Sequence, residues 1–542
     1  MEEESANPNR RQWLAVVVVG LGWTLAYSFV APPVSLVFAW LVPGFLLAAT
    51  RGKGRRSFAL GLLGGAVHYF SSLSWLLYIP VAPGNIVGWI ALSGYCSVYP
   101  ALWAWFCWRL FPGDREQSIG EALASVSFSE RLRWGLSCAL GWVALECLRG
   151  WVITGFPWNY LGASQLEFTP LAMFAQYTGV LGVSLVVAWV SIGGVLVAWR
   201  WKRESKFEPV QLKEAAAPAG LLIVALGLGC VAMSRALPAK RGELKIALVQ
   251  PSIPQTVLWD VRNLDAQMDR FTQLMDLSYR ALTKEPDLLV WPEASSPLAF
   301  LPPELTRGRM QVLQEQIAAQ KIWRVWGVDT ATNNIPFNSC ALIDADGRDL
   351  AYYSKQHLVM FGEYVPLGDT FPFLKSLAPV GNFGRGPGPV VFDMGTAKTS
   401  VLICFEDVVP KLARQAATEE VDFLLNLTND GWFGNSHQQW QHARSAAWRA
   451  IETRRPLVRC CNNGITGCID ERGRFHGVQE PVHSPRASLV TIPLREGAHQ
   501  LTFYQCWGDW LPWGAVVASV GLLAFSFRGR KKGSESEAVP DK

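Results

Sequence analysis

A polytopic α-helical membrane domain of about eight spans, carrying an external α/β domain, is the fold class that three features of this sequence predict. Eight stretches are apolar enough and long enough to cross a bilayer core, which takes about 20 residues as helix. Lys and Arg gather in alternate connectors between those stretches. Between the seventh and the eighth lies a long segment that reads as alternating strands and amphipathic helices. Half of the 542 residues are hydrophobic and 25 are Trp, too apolar for one soluble domain, while the net charge of +5 is small for this length. Nothing global therefore argues for nucleic acid as a partner.

The apolar stretches lie near 13–30, 34–50, 57–79, 86–111, 133–155, 170–199, 217–236 and 507–527. The first has a basic start and small residues at its end, as a signal peptide would, but seven further spans favour an uncleaved helix. Short connectors rich in Lys and Arg stay on the cytoplasmic side. Arg10 and Arg11 precede the first span, "RGKGRR" (51–56) joins the second and third, "WRWKRESK" (199–206) the sixth and seventh, and "RGRKK" (528–532) follows the eighth. The loop between four and five has Arg115, Arg131 and Arg133 among acids, whereas "APP" (31–33), "PVAPGN" (80–85) and "FPWNYLGASQLEFTP" (156–170) carry no Lys or Arg. Parity then puts both termini in the cytoplasm and the long segment outside. Glu146 and Arg149, three apart on the fifth span, are expected to pair inside the bundle. The boundaries expected are a membrane domain over 1–240, an external domain over 241–503, a final span over 504–530 and a tail over 531–542.

The external segment contains "LKIALVQPS", a helix around 261–284, "PDLLVWPEA", a helix around 304–320, "IWRVWGVDTA" and hairpins turning at "ADGR" and "MGTAK". "VLICFED", a helix, "VDFLLNLTN", a helix through "WQHARSAAWRAIETR" and "LVRCCNNGITGCIDERGRF" follow. The strands are apolar on both sides, as sheets covered by other layers must be. Eleven cysteines are present, and five of them, Cys340, Cys404, Cys460, Cys461 and Cys468, fall in this segment. An odd number without regular spacing argues against a disulfide framework. Cys460, Cys461 and Cys468 share no ligand spacing with His437 and His442, so no metal is expected.

Chemistry is expected at strand ends. "VLICFED" carries an apolar strand up to Cys404 and surrounds the thiol with acids, which raise a thiol's pKa. Such a thiol is better activated by a base during attack than held as a resting thiolate. "LLVWPEA" delivers Glu293 after an apolar run, and Pro292 cannot continue a ladder, so the carboxylate stands in a crevice at the strand's C-terminal edge. "YYSKQHLVMFGEYVPLG" supplies Lys355 and, eight residues on, Glu363. A lysine beside carboxylates keeps its charge and can stabilise an oxyanion.

In that order, WPE, K with GEYVP, and CFE resemble the nitrilase, or carbon-nitrogen hydrolase, superfamily. The resemblance implies an αββα sandwich with Glu293 as general base, Lys355 stabilising the oxyanion, Cys404 as nucleophile, the Phe405 N–H sharing the oxyanion, and Glu363 positioning the lysine or the incoming group. A tyrosine is also common in the family where this chain has Phe405, so any role for a phenol there is absent. The whole architecture, with "GFPWNYLGASQ" (155–165), "VQPSIPQTVLWD" (249–260), "GRGPGP" (384–389) and "TNDGWFG" (428–434), resembles the bacterial apolipoprotein N-acyltransferases.

That resemblance implies transfer of an acyl chain from a phospholipid, with phosphatidylethanolamine expected, through a cysteine thioester. The acceptor is the α-amino group of the diacylglyceryl-cysteine that begins an apolipoprotein, in the last step of bacterial lipoprotein maturation. It implies a multi-pass protein of the bacterial inner membrane, its catalytic domain periplasmic, with the bilayer as partner and no cofactor; a monomer is expected. Trp259, after "IPQ", matches a position associated with substrate, and Glu406 follows the nucleophile as in the family, to orient Lys355 or an amine or to cap the next helix. Trp158 beside Phe156, and Phe361, Phe371, Phe373 and Phe383, are suitable walls for an acyl chain. Asn338 is a further candidate for the site lining. Two other readings stay open: a membrane-anchored amidase using the same triad on a small C–N substrate, and a transporter or lipid-binding scaffold without catalysis.

Overall fold

The computed structural model describes residues 8–27, 32–51, 54–115, 117, 119–204, 212–366, 368, 370–372 and 382–535. It divides into two compact units, one of 1–74, 89–233 and 509–542, the other of 75–88 and 234–508.

The first unit is helical. Helices Pro8–Leu25, Pro32–Ala49, Gly54–Ser72, Gly84–Arg109, Phe128–Arg149, Val180–Glu204, Lys213–Ser234 and Trp510–Glu535 occupy the eight apolar stretches. Four of these contain segments long and apolar enough to cross a membrane, Gly84–Arg109, Val180–Trp201, Lys213–Ser234 and Trp510–Arg528; Ser35–Ala49 is a shorter apolar helix. In the remaining three, charges enter the helix itself: Arg10 and Arg11, Arg55 and Arg56, and the series Glu130, Arg131, Arg133, Glu146 and Arg149. What the structure supports is thus a helical region with four candidate spans.

Small residues let these helices approach. A Cβ on Gly20 would fall 2.8 Å from the Gly64 carbonyl oxygen, and one on Gly44 would fall 2.5 Å from that of Ser191. Such contacts are how apolar helices associate where lipid offers no hydrophobic drive. Two stretches are interrupted. The stretch expected over 170–199 is broken by Gly179 at φ 68°, and its long helix starts only at Val180. The fifth stops at Arg149, before Ile153 and Thr154, both at positive φ. The pairing expected of Glu146 and Arg149 gives way to a joint grip on the connector that follows. Glu146 Oε1 accepts from the Leu161 N–H at 2.7 Å, and Arg149 donates to the carbonyls of Phe156 at 2.9 Å and Trp158 at 2.6 Å.

The second unit is an α/β sandwich. Its strands are β1 (Lys240–Gln250), β2 (Leu288–Trp291), β3 (Trp323–Thr332), β4 (Ile335–Ile343), β5 (Asp349–Ser354), β6 (Val391–Asp393), β7 (Lys398–Ile403), β8 (Phe423–Thr428), β9 (Leu457–Cys461), β10 (Gly467–Ile469), β11 (Phe475–His476) and β12 (Arg486–Arg495). One sheet has the order β12-β1-β2-β3-β4-β5 and the other β11-β10-β9-β8-β7-β6. The period of two along a strand assigns the faces. Leu244, Ile246 and Leu248 of β1 face Val401, Ile403, Leu425 and Leu427 of the other sheet in one core. Ala247 and Val249 turn outward onto Phe271, Leu274 and Met275 of helix Leu264–Leu282. The outer side of the second sheet carries helices Pro410–Ala416 and Gln438–Thr453. Each sheet is therefore buried on both faces, which is why its strands read as continuous apolar runs.

β1, β2 and β3 are parallel, as are β7, β8 and β9, and β5 runs with β3 because two antiparallel pairings separate them. The C-terminal ends of β2, β3 and β5 thus lie along one sheet edge. Residues 75–88 pack onto this unit: Trp75 Nε1 donates to Gln441 Oε1 at 3.2 Å, and its ring stands edge-on to Phe433 at 4.8 Å. Phe373 and residues 536–542 of the expected tail lie outside the described residues.

Candidate active site

Each chemical side chain sits where a strand has just ended. β2 stops at Trp291, Pro292 supplies no N–H for a ladder, and Glu293 follows, 7 % exposed. Its Oε1 accepts from Asn338 Nδ2 at 2.7 Å and its Oε2 from the backbone N–H of Asn429 at 2.8 Å. β5 ends at Ser354 and Lys355 follows, 1 % exposed. Its Nζ lies 2.9 Å from Glu363 Oε1 and 3.7 Å from Glu293 Oε1. β7 ends at Ile403, and Cys404 follows at φ 53°, a left-handed conformation that non-glycine residues seldom adopt and that turns the thiol off the strand line.

The charges are arranged unequally. Burial above all, helped by Glu363 and opposed by Lys355, Asn338 and Cys404, holds the Glu293 carboxyl above the usual carboxylate range. Burial and then Glu293 push the Cys404 thiol well up, against the pull of Lys355. Burial works against the Lys355 ammonium, yet Glu363, Cys404, Glu293 and Glu406 outweigh it and raise its pKa. The resting thiol is therefore protonated, beside a carboxylate with raised proton affinity and a cation fixed by two acids. That set can remove the proton as sulfur attacks and receive the oxyanion that results.

Asn338, expected to line the site, does more. Its Nδ2 bridges Glu293 Oε1 and Glu363 Oε1, the latter at 3.0 Å, and its carbonyl accepts the Lys355 N–H at 2.8 Å. Glu363 Oε2 accepts from the Val359 N–H at 2.9 Å, which fixes the turn that presents Glu363 to Lys355. The Phe405 ring stacks on His357 at 5.8 Å.

Glu406 is placed otherwise than a substrate residue. It is fully buried, its Oε2 accepting from Tyr353 Oη and the Ile403 N–H, both at 2.7 Å. Its Oε1 accepts from the N–H groups of Gln356 at 2.6 Å and His357 at 2.9 Å. With four donors on two oxygens, it ties the nucleophile turn to the segment after Lys355 and has no position left for an amine. Trp158 is also corrected: it is 1 % exposed, stacked on Phe156 inside the helical unit, and offers no face to an acyl chain. Phe361 and Phe371 are exposed, whereas Phe383 is partly buried. Trp259 closes the helical turn Gln255–Trp259, and its side chain lies outside the described residues. Cys460, Cys461 and Cys468 are buried free thiols.

Two contributors have no counterpart in the sequence reading. The Asn429 N–H on Glu293 comes from the loop after β8, where Asn429 also joins Gln255 Oε1 at 2.7 Å and Asn462 Nδ2 at 2.9 Å. The next residue, Asp430, accepts through Oδ1 from His442 Nδ1 at 2.8 Å, while His442 Nε2 donates to Asp407 Oδ1 at 2.7 Å. Arg459 joins Asp407, and its Nη2 lies 3.5 Å from Asp430 Oδ2. Two acids and two cations are thus buried together, linking the loop of Cys404 to the loop that bonds Glu293. Burial opposes the His442 charge, but Asp407 and Asp430 raise its pKa to about 9. For the ion cluster the available signal was an acid directly after an apolar strand, Asp430 in "LLNLTND".

Comparison with known proteins shows the family to which the chain belongs. The carbon-nitrogen hydrolase family model matches residues 245–493, and the apolipoprotein N-acyltransferase N-terminal domain matches 19–193. The apolipoprotein N-acyltransferase of Geobacter metallireducens is 31% identical over 96% of this chain and 96% of its own. That of Vibrio vulnificus is 30% identical over 94% and 96%. Among solved structures, an amidase from Nesterenkonia sp. matches 48% of this chain and 94% of its own at 20% identity, with a TM-score of 0.35. A likeness that runs almost the full length of both chains and spans both characteristic domains means that this chain belongs to the apolipoprotein N-acyltransferase family, enzymes of the carbon-nitrogen hydrolase superfamily.

Proposed function

We propose that this enzyme moves an acyl chain from a phospholipid, phosphatidylethanolamine in the first instance, to the α-amino group of the diacylglyceryl-cysteine of an apolipoprotein. Glu293 takes the thiol proton as Cys404 sulfur attacks the sn-1 ester carbonyl, and Lys355 with the Phe405 N–H receives the oxyanion. The ester C–O bond breaks, the proton on Glu293 passes to the departing glycerol oxygen, and lysophospholipid leaves a thioester behind. In the second half the acceptor amine gives its proton to Glu293 and attacks the thioester. The C–S bond breaks, an amide forms, and the sulfur recovers its proton. Asn338 and Glu363 hold base and cation in register throughout. The observation that carries the reading is the buried Lys355 ammonium, 3.7 Å from Glu293 and 2.9 Å from Glu363, in one site with Cys404 at the end of β7, in a chain of this family.

Both substrates are lipids that leave a bilayer only at great cost, about 0.8 kcal/mol for each buried CH2. The reading therefore includes a membrane domain over 1–240 and 504–530 with eight spans, the hydrolase domain over 241–503 on the periplasmic side, a cytoplasmic tail over 531–542, both ends of the chain in the cytoplasm, and a monomer. Support comes from the alternation of basic and uncharged connectors. The test is transfer itself: the purified chain, phosphatidylethanolamine with a labelled sn-1 chain, and a synthetic diacylglyceryl-cysteine peptide. Label appearing as a base-stable amide on the peptide is expected. Release of free fatty acid alone, or hydrolysis of small amides without any lipid requirement, would replace the reading with a hydrolase.

A further inference from the structure

The acyl donor carries a phosphodiester, and the diacylglyceryl peptide does not. None of the groups so far assigned can meet that anion. Glu293 and Glu363 repel it, and the Lys355 ammonium is buried and committed to Glu363.

Arg385 is exposed, and the backbone around it is stitched to the site from three sides. The Phe383 N–H donates to the carbonyl of Glu363 at 3.0 Å, the Gly384 N–H to that of Pro336 at 2.7 Å, and the Gly386 N–H to that of Lys355 at 2.8 Å. Gly386 is seated so closely that a Cβ there would fall 1.9 Å from the Ser354 carbonyl oxygen. The Arg385 guanidinium lies 5.5 Å from the centroid of the Tyr364 ring, the residue next to Glu363. Among the described residues it enters no ion pair with a carboxylate. Its charge is felt at the site: burial first, then Lys355 and Arg385, bring His357 down to about 4. A guanidinium resting on an aromatic face keeps its fork of N–H donors free and oriented, the geometry that suits phosphate.

We propose that Arg385 binds the phosphodiester of the acyl donor, and so acts in the first half-reaction and not in the second. The inference rests on the acyl-transfer reading above. The test uses the full-length enzyme, Arg385→Gln and Arg385→Lys. Two donors are compared, phosphatidylethanolamine and a phosphate-free p-nitrophenyl fatty-acyl ester, with acylation of Cys404 followed by intact mass. For Arg385→Gln the KM for phosphatidylethanolamine is expected to rise about tenfold or more, the scale of one lost charge-assisted contact. The lysine variant falls between, and acylation by the p-nitrophenyl ester and transfer from preformed thioester to peptide stay at parental rates. An unchanged phospholipid KM, an equal loss with the phosphate-free ester, or slowed transfer from the thioester would each overturn it. A parent enzyme that forms no thioester with either donor would instead overturn the acyl-transfer reading.

Discussion

Glu293 has to be a carboxylate to take a proton, and it is held above the usual carboxylate range by burial and by Glu363. The rise of kcat/KM for acylation with pH is therefore expected to have its midpoint above about 4.3, the ordinary value for Glu. Glu293→Gln should remove that limb and lower the rate by about a hundredfold or more. A midpoint at or below the ordinary value would contradict the assignment. At Lys355 the charge is retained against burial, so Lys355→Met should abolish acylation while Cys404 remains alkylatable in the folded protein. Glu293 and Cys404 could be placed from sequence because apolar runs lead up to them, and Lys355 because it ends a strand near carboxylates; a polar group at a strand end has few places to go but the sheet edge. Asn429 could not, because what it contributes is a backbone N–H, which no side chain announces. For Glu406, of the two roles expected, the structure favours the cap: adjacency to Cys404 in sequence does not say which way a carboxylate turns, and this one turns inward to accept the Ile403 N–H.

At the scale of elements, the turn after β7 and the loop after β8 are held by two buried polar systems. Glu406 receives four donors from the β5 end and the nucleophile turn. Glu406→Gln would oppose an amide N–H2 to some of those N–H groups, and the full chain in detergent should lose about 2 kcal/mol or more of stability. A changed substrate KM with unaltered thermal unfolding would instead return Glu406 to the substrate. The second system is Asp407, His442, Asp430 and Arg459. A histidine with a folded pKa of about 9, against about 6.5 unfolded, contributes stability that is complete below pH 6.5 and is lost as pH rises through 9. Thermal unfolding of the hydrolase domain should thus fall between those limits, and fall less in His442→Gln. No difference between the two pH profiles would contradict the ion cluster. The sheets themselves were readable as double-covered apolar runs, whereas this cluster draws on residues 407, 430, 442 and 459, whose convergence only the fold creates.

For the whole molecule, the apolar stretches were visible from composition, but their ends were not. Arginines inside helices Pro8–Leu25 and Gly54–Ser72, the charges of Phe128–Arg149 and the shortness of Ser35–Ala49 leave, among the described residues, four helices that satisfy length and hydropathy together. The eight-span topology is tested by a reporter that folds only in the cytoplasm. Fused after Glu535 it should be active, and inserted within 80–85 it should be silent; the reverse pattern would contradict the orientation. The central claim is the acyl-enzyme on Cys404, and intact mass of the membrane-purified chain with phosphatidylethanolamine, beside Cys404→Ala, tests it most directly. The parent should gain the mass of a fatty-acyl group, removable with hydroxylamine, and the variant should gain nothing. A parent without the adduct, or a variant that keeps it, would contradict the account.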